Sequence, residues 1–313
     1  MLLILYKKII EDLRDYFFGT NLFGFCGDLD ERLYPIDLEF TLQDKKNYYT
    51  PMDKDGIPIK KYISVGEQYN PTRIAAYGLA NYNRWILDGD FSARNEFLKM
   101  ANWFFENKSG RYEYHFDWGT LKNPWISCMA QGEAVSVLVR AFTLTNDSRY
   151  IEKARLALEP FLNNITSGGV QSYIGDAWLY LEEYPVEKPE HVLNGFMYAL
   201  IGLSEYSDLK PDDEEICCLR DKLIQTLLHH IERWSFGNWS LYQVSNSKNE
   251  INTCTPKYHN LQISQLTYIM RKFNLKSLDV VVSRWKNGAD SFLYRMFALL
   301  YKIYFRLKIK AQR

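Results

Sequence analysis

Helical hairpins that recur along the chain constrain its fold more than any other feature of the sequence. Pairs of segments with a 3.6-residue apolar period cover residues 129–164, 191–235 and 259–287, and residues 71–87 and 91–106 form a further pair. The unit returns roughly every 60 residues, and helical hairpins at a fixed period stack into a solenoid or a closed ring. The sequence therefore predicts an all-α fold, an (α/α) toroid of helical hairpins.

The first helix of each pair carries small residues among its apolar ones. Residues 74–82 (IAAYGLANY) and 195–203 (GFMYALIGL) are the clearest examples, and residues 131–138 (QGEAVSVL) are a looser one. Small side chains let helices approach closely, so these segments are expected on the inside of the ring. The connections alternate between short and long, and the long ones, residues 165–190 and 236–258, are expected to gather on one rim and build a cleft.

The first 70 residues follow a different pattern. An amphipathic helix is predicted at residues 2–18, residues 33–40 alternate apolar with polar or breaking residues, and Asp55-Gly56 is a turn signal. This region is expected to hold a β-hairpin or two. The sequence thus divides into residues 1–70 with a helix and a small β-hairpin region, residues 71–288 with the toroid, and residues 289–313 with a basic amphipathic helix.

Composition narrows the classes of ligand. Lys plus Arg and Asp plus Glu number 38 each, and this balance argues against binding of nucleic acid, which demands a basic excess. Aromatic residues make up 16% of the chain, with 23 Tyr and 8 Trp. Flat rings stack on the apolar faces of pyranoses, although dense packing between helices would use the same residues. Five Cys and five His show no metal-ligand spacing, so neither a metal nor a cofactor is expected.

The odd number of cysteines and the absence of a signal-peptide pattern predict a reduced, cytoplasmic protein. No stretch approaches the roughly 20 apolar residues that span a bilayer. Residues 292–310 mix aromatic and aliphatic side chains with five cations, which allows peripheral contact with the inner face of a membrane. The alternative is a terminal helix packed on its own domain. The five cations are Arg295, Lys302, Arg306, Lys308 and Lys310.

Three clusters place a tyrosine in or beside a long loop, next to a charged or amide side chain. The first runs over residues 178–185 (WLYLEEYP) into a helix start at residues 191–198 (HVLNGFMY), the second is residues 237–242 (GNWSLY), and the third is residues 256–263 (PKYHNLQI). Because the long loops share one rim, we expect these tyrosines to meet in the cleft. A solvated turn or ordinary core tyrosines would give the same local sequences.

Two other charged positions are expected to be structural. His191 suits the exposed surface of a helix N-terminus, and Arg140 suits an ion pair with Glu133 or Glu205.

Several motifs, in order along the chain, resemble the heparan and heparin D-glucuronyl C5-epimerase family. The resemblance covers residues 69–285, most of the chain. The matching segments are IAxYGL at residues 74–79, MAQG at 129–132, VRAF at 139–142, EEYP at 182–185, VLNGFMYALIGL at 192–203, and YH at 258–259 with IxQL at 263–266.

The resemblance implies an isomerase that inverts C5 of D-glucuronic acid, giving L-iduronic acid, in an oligosaccharide or polysaccharide. By motif, the implied catalytic residues are Glu183, Tyr184, Tyr242 and Tyr258. The resemblance also implies substrate-binding residues at Tyr69, Tyr77, Gln131, Asn194, Tyr198, Lys257 and His259. One departure concerns the three residues after Tyr242, where the family has an arginine and this chain has Gln243, Val244 and Ser245.

The chemistry accounts for these residue types. Inversion at C5 removes a proton alpha to a carboxylate and returns one on the opposite face, so two groups on opposite faces are needed. A tyrosine, with a pKa of about 10, is a ready acid, whereas the base must be a tyrosinate beside a cation or a carboxylate such as Glu183. The enolate that forms needs charge neutralisation. Candidates are Lys257, His259 and Arg73.

Other functions on the same toroid stay open at this point. A lyase would remove the same proton and then eliminate the C4 substituent. A glycoside hydrolase would need two carboxylates about 5–10 Å apart, which Glu183 with Glu113, Asp117 or Asp176 could supply. A homologue that binds glycans without catalysis is the third alternative. The sequence leaves the oligomeric state undetermined, a homodimer included.

Overall fold

The structure is a computed structural model that describes residues 10, 12–17, 23–28, 30–43, 48–245 and 251–308. Its body consists of helical hairpins, each with an inner and an outer helix, which confirms the expected (α/α) toroid. The helices are α1 (Glu39–Gln43), α2 (Pro71–Asp88), α3 (Phe91–Glu106), α4 (Cys128–Thr145), α5 (Ser148–Ala157), α6 (Leu193–Leu209), α7 (Glu214–His230), α8 (Pro256–Lys272), α9 (Asp279–Asp290) and α10 (Phe292–Lys308), and residues 12–17 are helical as well.

Local capping explains where the helices α2, α3 and α4 begin. The Asn70 side chain accepts a hydrogen bond from the Arg73 amide, and Pro71 occupies the first turn of α2, where its missing N–H costs nothing. Asp90 caps α3 and Ser127 caps α4 in the same way. Each boundary therefore follows from residues adjacent in sequence, and the bounds predicted for α2 and α3 agree with the structure to within a residue.

The inner helices α2, α4, α6 and α8 contact one another in that order. Glycine makes the α4–α6 contact possible. A Cβ on Gly132 would lie 2.5 Å from the Cα of Ala199, and a Cβ on Gly202 would lie 2.1 Å from the carbonyl oxygen of Gly132. Backbone thus packs on backbone at the centre of the molecule, as expected from the small residues in these segments.

The N-terminal region connects the two ends of this row of inner helices. The Ser264 hydroxyl of α8 donates to the Phe23 carbonyl at 2.7 Å. The Tyr34 amide donates to Asn83 Oδ1 of α2 at 2.7 Å, and Asn83 Nδ2 donates back to the Tyr34 carbonyl. The alternation at residues 33–40 does not form the predicted hairpin, because only a single bridge joins Phe25 to Ile36 before α1 begins.

Short antiparallel hairpins occupy the long connections. The strands are β1 (Ile59–Tyr62) with β2 (Gly66–Tyr69), β3 (Gln171–Ile174) with β4 (Trp178–Leu181), and β5 (Ser235–Phe236) with β6 (Trp239–Ser240). The first of these is the hairpin predicted in the N-terminal region. The second corrects the expectation of an irregular loop at residues 178–185, because Trp178–Leu181 pairs in register with β3.

The C-terminal helix α10 lies against residues 12–17. Arg306 pairs with Asp12 at 2.5 Å, and the rings of Phe17 and Phe292 lie 5.6 Å apart. Another face of α10 is exposed and apolar. In the part of the chain that the structure describes, no helix is both long enough and apolar enough to traverse a bilayer. The exposed side chains, with their exposed fractions, are Leu293 (67%), Phe297 (56%), Leu300 (56%), Tyr304 (55%) and Leu307 (63%).

Candidate active site

A cavity of about 200 Å³ opens where the inner helices begin. Its wall combines the first residues of α2, α4 and α8 with the segment that follows β4. Aromatic rings dominate it, and Glu183 is the acidic residue among them. The lining residues are Tyr62, Asn70, Thr72, Tyr114, Phe116, Trp118, Trp125, Ser127, Met129, Glu183, Tyr184 and Tyr258.

Glu183 follows β4 and is 7% exposed. Asn194 Nδ2, in the first turn of α6, donates to Glu183 Oε2 at 3.3 Å. Gly195 is the next residue, and a Cβ there would lie 2.5 Å from the same oxygen. The carboxylate therefore sits directly on the start of α6, where only a residue without a side chain leaves room for it.

Two of the predicted tyrosines meet beside this carboxylate. The Tyr242 hydroxyl donates to Glu183 Oε1 at 3.3 Å. The rings of Tyr242 and Tyr258 are 5.4 Å apart and nearly perpendicular. Tyr258 is 42% exposed and lines the cavity.

Tyr184 forms the third phenol of the site. Its ring lies 6.1 Å from that of Trp125, and both rings line the cavity with Glu183 and Tyr258. The structure thus brings the four residues predicted as catalytic, Glu183, Tyr184, Tyr242 and Tyr258, into one place. Their roles in a reaction stay predictions.

Four of the residues predicted to bind substrate fall into two groups. Tyr198 and Asn194 are near the site but almost fully buried, at 3% and 1% exposure. Asn194 contacts Glu183 and so orients the carboxylate. Tyr77 and Tyr69 are not among the residues that line the cavity, and their hydroxyls donate to Glu96 at 3.3 Å and to Asp53 at 2.5 Å.

The structure corrects the expectation for Gln131 and His259, which are fully buried. Gln131 joins backbone groups far apart in sequence: its oxygen accepts from the Tyr112 amide, and its nitrogen donates to the Gly110 and Ala157 carbonyls. The oxygen and the nitrogen of the Gln131 amide therefore cannot reach a ligand in the cavity.

His259 also has both ring nitrogens engaged within the protein. Nδ1 accepts from the Ser240 amide, so Nε2 carries the proton and donates to the Trp285 carbonyl at 3.0 Å. Burial lowers the pKa of His259 to about 3, so the imidazole is neutral. Lys257, 43% exposed, lies 3.7 Å from Asp15. Of the three residues expected to neutralise the enolate, His259 is therefore a neutral ring, and Lys257 has a carboxylate nearby.

Arg73 is the third candidate cation, and its surroundings differ. It lies in the first turn of α2, next to Thr72 of the cavity wall, and its guanidinium is 4.9 Å and 5.3 Å from the ring centroids of Tyr48 and Tyr49. Burial lowers the pKa of Arg73 and raises the pKa of Tyr62 in the cavity wall, and the charge of Arg73 partly offsets the rise at Tyr62. Among the described residues, no carboxylate is within salt-bridge distance of it.

Glu133 is a buried carboxyl group beside this site that the sequence patterns did not indicate. Glu133 is on α4, one turn after Met129 of the cavity wall, and is 2% exposed. Burial, and then the charge of Glu183, raise the pKa of Glu133 well above its usual value. In the described part of the chain, Glu133 Oε2 has no hydrogen-bond partner. A charged residue in an otherwise apolar inner helix was the signal available in the sequence.

The two rims of the ring differ in charge. At the rim opposite the cavity, Arg140 and Glu205 form a buried bidentate ion pair at 2.8 Å. Of the two partners expected for Arg140, the structure therefore shows Glu205 and not Glu133. At the cavity rim, α2, α4 and α8 direct their N-terminal ends toward the lining residues. Helix N-termini carry partial positive charge, so this rim favours an anionic ligand.

The fold places the chain among the (α/α) toroids. It is similar to a glycosyl hydrolase family 88 protein from Bacteroides vulgatus, with a TM-score of 0.53, 11% identity and coverage of 97% of this chain and 90% of that one. It is also similar to a structure of UGL with dGlcA-Glc-Rha-Glc, with a TM-score of 0.50, 12% identity and coverage of 77% and 75%. At these identities the similarity establishes the fold alone.

The sequence identifies the family within this fold. The model of the D-glucuronyl C5-epimerase C-terminus family matches residues 106–287, and the chain belongs to that family. A D-glucuronyl C5-epimerase of Caenorhabditis elegans is 47% identical over 87 residues, which are 28% of this chain and 14% of that protein. An uncharacterized protein of Methanocaldococcus jannaschii is 24% identical over 165 residues, 52% of each chain. The chain thus spans at most about half the length of these relatives.

Replacement of Glu133 by Gln should stabilise the protein, and the gain should increase with pH. Burial raises the native pKa of Glu133 well above the usual value of a glutamate, so above that usual value unfolding releases a proton and wild-type stability falls. The difference between the two proteins should widen by up to about 1.4 kcal/mol per pH unit up to the native pKa. Urea unfolding at pH 5 and pH 8 measures it, with the exposed Glu106→Gln as control. An equal gain at both pH values would contradict the assignment.

Proposed function

We propose that this protein inverts C5 of a D-glucuronic acid residue in a glycan by removing and returning a proton. The observation that carries the proposal is that Glu183, Tyr184 and Tyr258 line a single cavity. Tyr242 contacts two of them, with its hydroxyl 3.3 Å from Glu183 Oε1 and its ring centroid 5.4 Å from that of Tyr258. Membership of the C5-epimerase family supports the same reaction.

The reaction in this site proceeds in two proton transfers. A base, Glu183 or a tyrosinate that Glu183 helps to form, takes the C5 proton, and the electrons of the C–H bond move onto the substrate carboxylate as an enolate. A tyrosine hydroxyl on the opposite face then donates its proton to C5, and the electrons return to form the new C–H bond. The hydrogen-bonded pair of Glu183 and Tyr242 can pass a proton and restore the starting state.

Hydrolysis is less well supported than proton transfer. A glycoside hydrolase uses two carboxylates about 5–10 Å apart across the sugar. Among the described residues that line the cavity, Glu183 is the acidic one, and Glu113, Asp117 and Asp176 are not among them. A lyase shares the first proton transfer and differs in its product, which is unsaturated.

The substrate carboxylate needs a cation or strong donors, because it becomes a dianion in the intermediate. Arg73 fits this requirement, since its guanidinium is near the cavity wall and forms no ion pair within the described chain. Its planar group can donate two parallel hydrogen bonds to a carboxylate. The N-terminal ends of α2, α4 and α8 act in the same direction.

Replacing Tyr184 or Tyr258 with Phe should abolish epimerisation and leave substrate binding nearly unchanged, because the ring stays and only the hydroxyl is lost. The rate should fall about 100- to 10,000-fold. Glucuronate-containing oligosaccharides incubated in deuterated water and followed by NMR at C5 give the rate. If the two tyrosines serve opposite faces, each variant keeps deuterium exchange from one epimer only.

Glu183→Gln should depress exchange from both epimers, and Tyr173→Phe, at the exposed position of strand β3, serves as the control. A Tyr184→Phe/Tyr258→Phe double variant that exchanges at the wild-type rate would exclude both tyrosines from the reaction. An unsaturated product would indicate a lyase.

Arg73→Gln should raise KM on the order of tenfold and lower kcat as well, because the guanidinium faces a carboxylate whose charge increases along the reaction. Arg73→Lys should recover part of the loss, since it restores the charge without the bidentate geometry. Arg94→Gln is the matched control, because Arg94 also lies over an aromatic ring, that of Trp85. Unchanged kinetics in Arg73→Gln would mean that the stack on Tyr48 and Tyr49 is packing alone.

We further propose that α10 contacts the surface of a membrane. The support is its exposed stripe of Leu293, Phe297, Leu300, Tyr304 and Leu307, whose spacing of three and four residues puts them on one face. The helix carries four cations and no acidic residue.

Phe297→Asp/Leu300→Asp should reduce sedimentation of the protein with vesicles that contain phosphatidylserine, because two charges would enter the apolar face. Val280→Asp, at an apolar position on α9 that is 68% exposed, should have no effect. Wild-type protein that stays in the supernatant at low salt would exclude membrane contact.

A further inference from the structure

Lys302 is a buried cation outside the part of the chain that the family model matches. It is on α10, it is 9% exposed, and the match ends at residue 287. Its ammonium donates to Asn252 Oδ1 at 2.7 Å and lies 5.8 Å from the ring centroid of Phe305. Burial of an ammonium is costly unless hydrogen bonds or the faces of aromatic rings compensate for the lost water.

The second aromatic ring that faces this ammonium is Tyr242 of the active site. Lys302 Nζ is 5.9 Å from the Tyr242 ring centroid. One backbone and one side-chain hydrogen bond hold the arrangement: the Tyr242 amide donates to the Asn252 carbonyl at 2.8 Å, and the Thr253 hydroxyl donates to the Ala298 carbonyl of α10 at 2.8 Å. The segment that positions Tyr242 is therefore the segment that anchors α10 and its lysine.

The charges around Tyr242 act in opposite directions. The Glu183 carboxylate accepts the Tyr242 hydrogen bond and opposes ionisation of the phenol, whereas the Lys302 ammonium favours it. Tyr258, the ring that faces Tyr242 from α8, is a phenol. Cys254, which also lies near Lys302, has a pKa raised to about 12 by burial, so its thiol adds no charge.

We infer that Lys302 is a positioning residue for the reaction: its buried ammonium stabilises the phenolate form of Tyr242 and offsets the charge of Glu183. The effect does not depend on the direction of proton transfer. A phenolate that forms more easily is available as the base at a lower pH, and a phenol that loses its proton more easily is a stronger acid. The role of Tyr242 in catalysis rests on the proposed function, but the electrostatic effect of Lys302 does not.

The test is a titration of the Tyr242 phenol in the full chain, by NMR of protein with ¹³Cζ-labelled tyrosine, with the Tyr242 signal assigned by Tyr242→Phe. Lys302→Met and Lys302→Gln should both move the titration midpoint of Tyr242 to higher pH, and Gln keeps a donor for Asn252 in case Met impairs folding. Lys302→Arg should restore the wild-type midpoint. Lys308→Met is the matched control, since Lys308 lies on the same helix over the ring of Tyr304 and should change nothing.

The exchange assay gives the consequence for catalysis. Loss of the charge at Lys302 should slow C5 exchange at neutral pH on the order of tenfold and shift the limb of the kcat–pH profile that Tyr242 governs to higher pH. A folded Lys302→Met or Lys302→Gln protein with the wild-type midpoint overturns the inference, because a purely structural lysine would change stability and leave the titration in place. A shifted midpoint in a protein that exchanges no C5 hydrogen would retain the inference and reject the proposed function.

Discussion

Close packing of α4 on α6 is the contact on which the rest of the molecule depends. Gly132 and Gly202 bring the two backbones together at distances that no side chain allows. Every methyl group added there would meet backbone atoms, and overpacking of this kind costs about 1–3 kcal/mol or more. Because these two helices are the middle members of the inner row, their separation fixes where α2 and α8 lie, and hence where the walls of the cavity meet.

The same helix pair determines the electrostatics of the two rims. At one rim the Arg140–Glu205 pair joins α4 to α6. Both charged groups are buried, and two hydrogen bonds connect them. Breaking such a pair leaves an uncompensated buried charge, at a cost of about 3–5 kcal/mol. At the other rim, Glu133 has no such partner in the described chain, and burial raises its pKa well above the usual value. An ion pair thus joins the helices at one rim of the ring, and the other rim is available to a ligand.

The geometry of the candidate site follows from where α6 begins. Gly195 and Asn194 hold Glu183 against the helix start, and the Leu193 amide donates to the Tyr242 carbonyl, which places the tyrosine beside the carboxylate. Lys302 then approaches the same tyrosine from α10. The carboxylate, the tyrosine and the lysine therefore come from three separate parts of the chain, and contacts within the protein hold each of them.

The sequence by itself determined the helices and the residues proposed to react. The apolar period and the caps at Asn70 and Asp90 are local, so the bounds of α2 and α3 could be predicted, and the motifs around Tyr184 and Tyr258 pointed to the residues that the structure brings together. Only the tertiary structure decided which polar side chains are buried. His191 was expected at the surface but is buried against Glu182 at 2.6 Å, Gln131 joins residues about 20 positions away, and Lys302 reaches Tyr242 across 60 positions. A periodic pattern reports which face of a helix is apolar, whereas burial of a polar group depends on partners that the folded chain supplies from a distance.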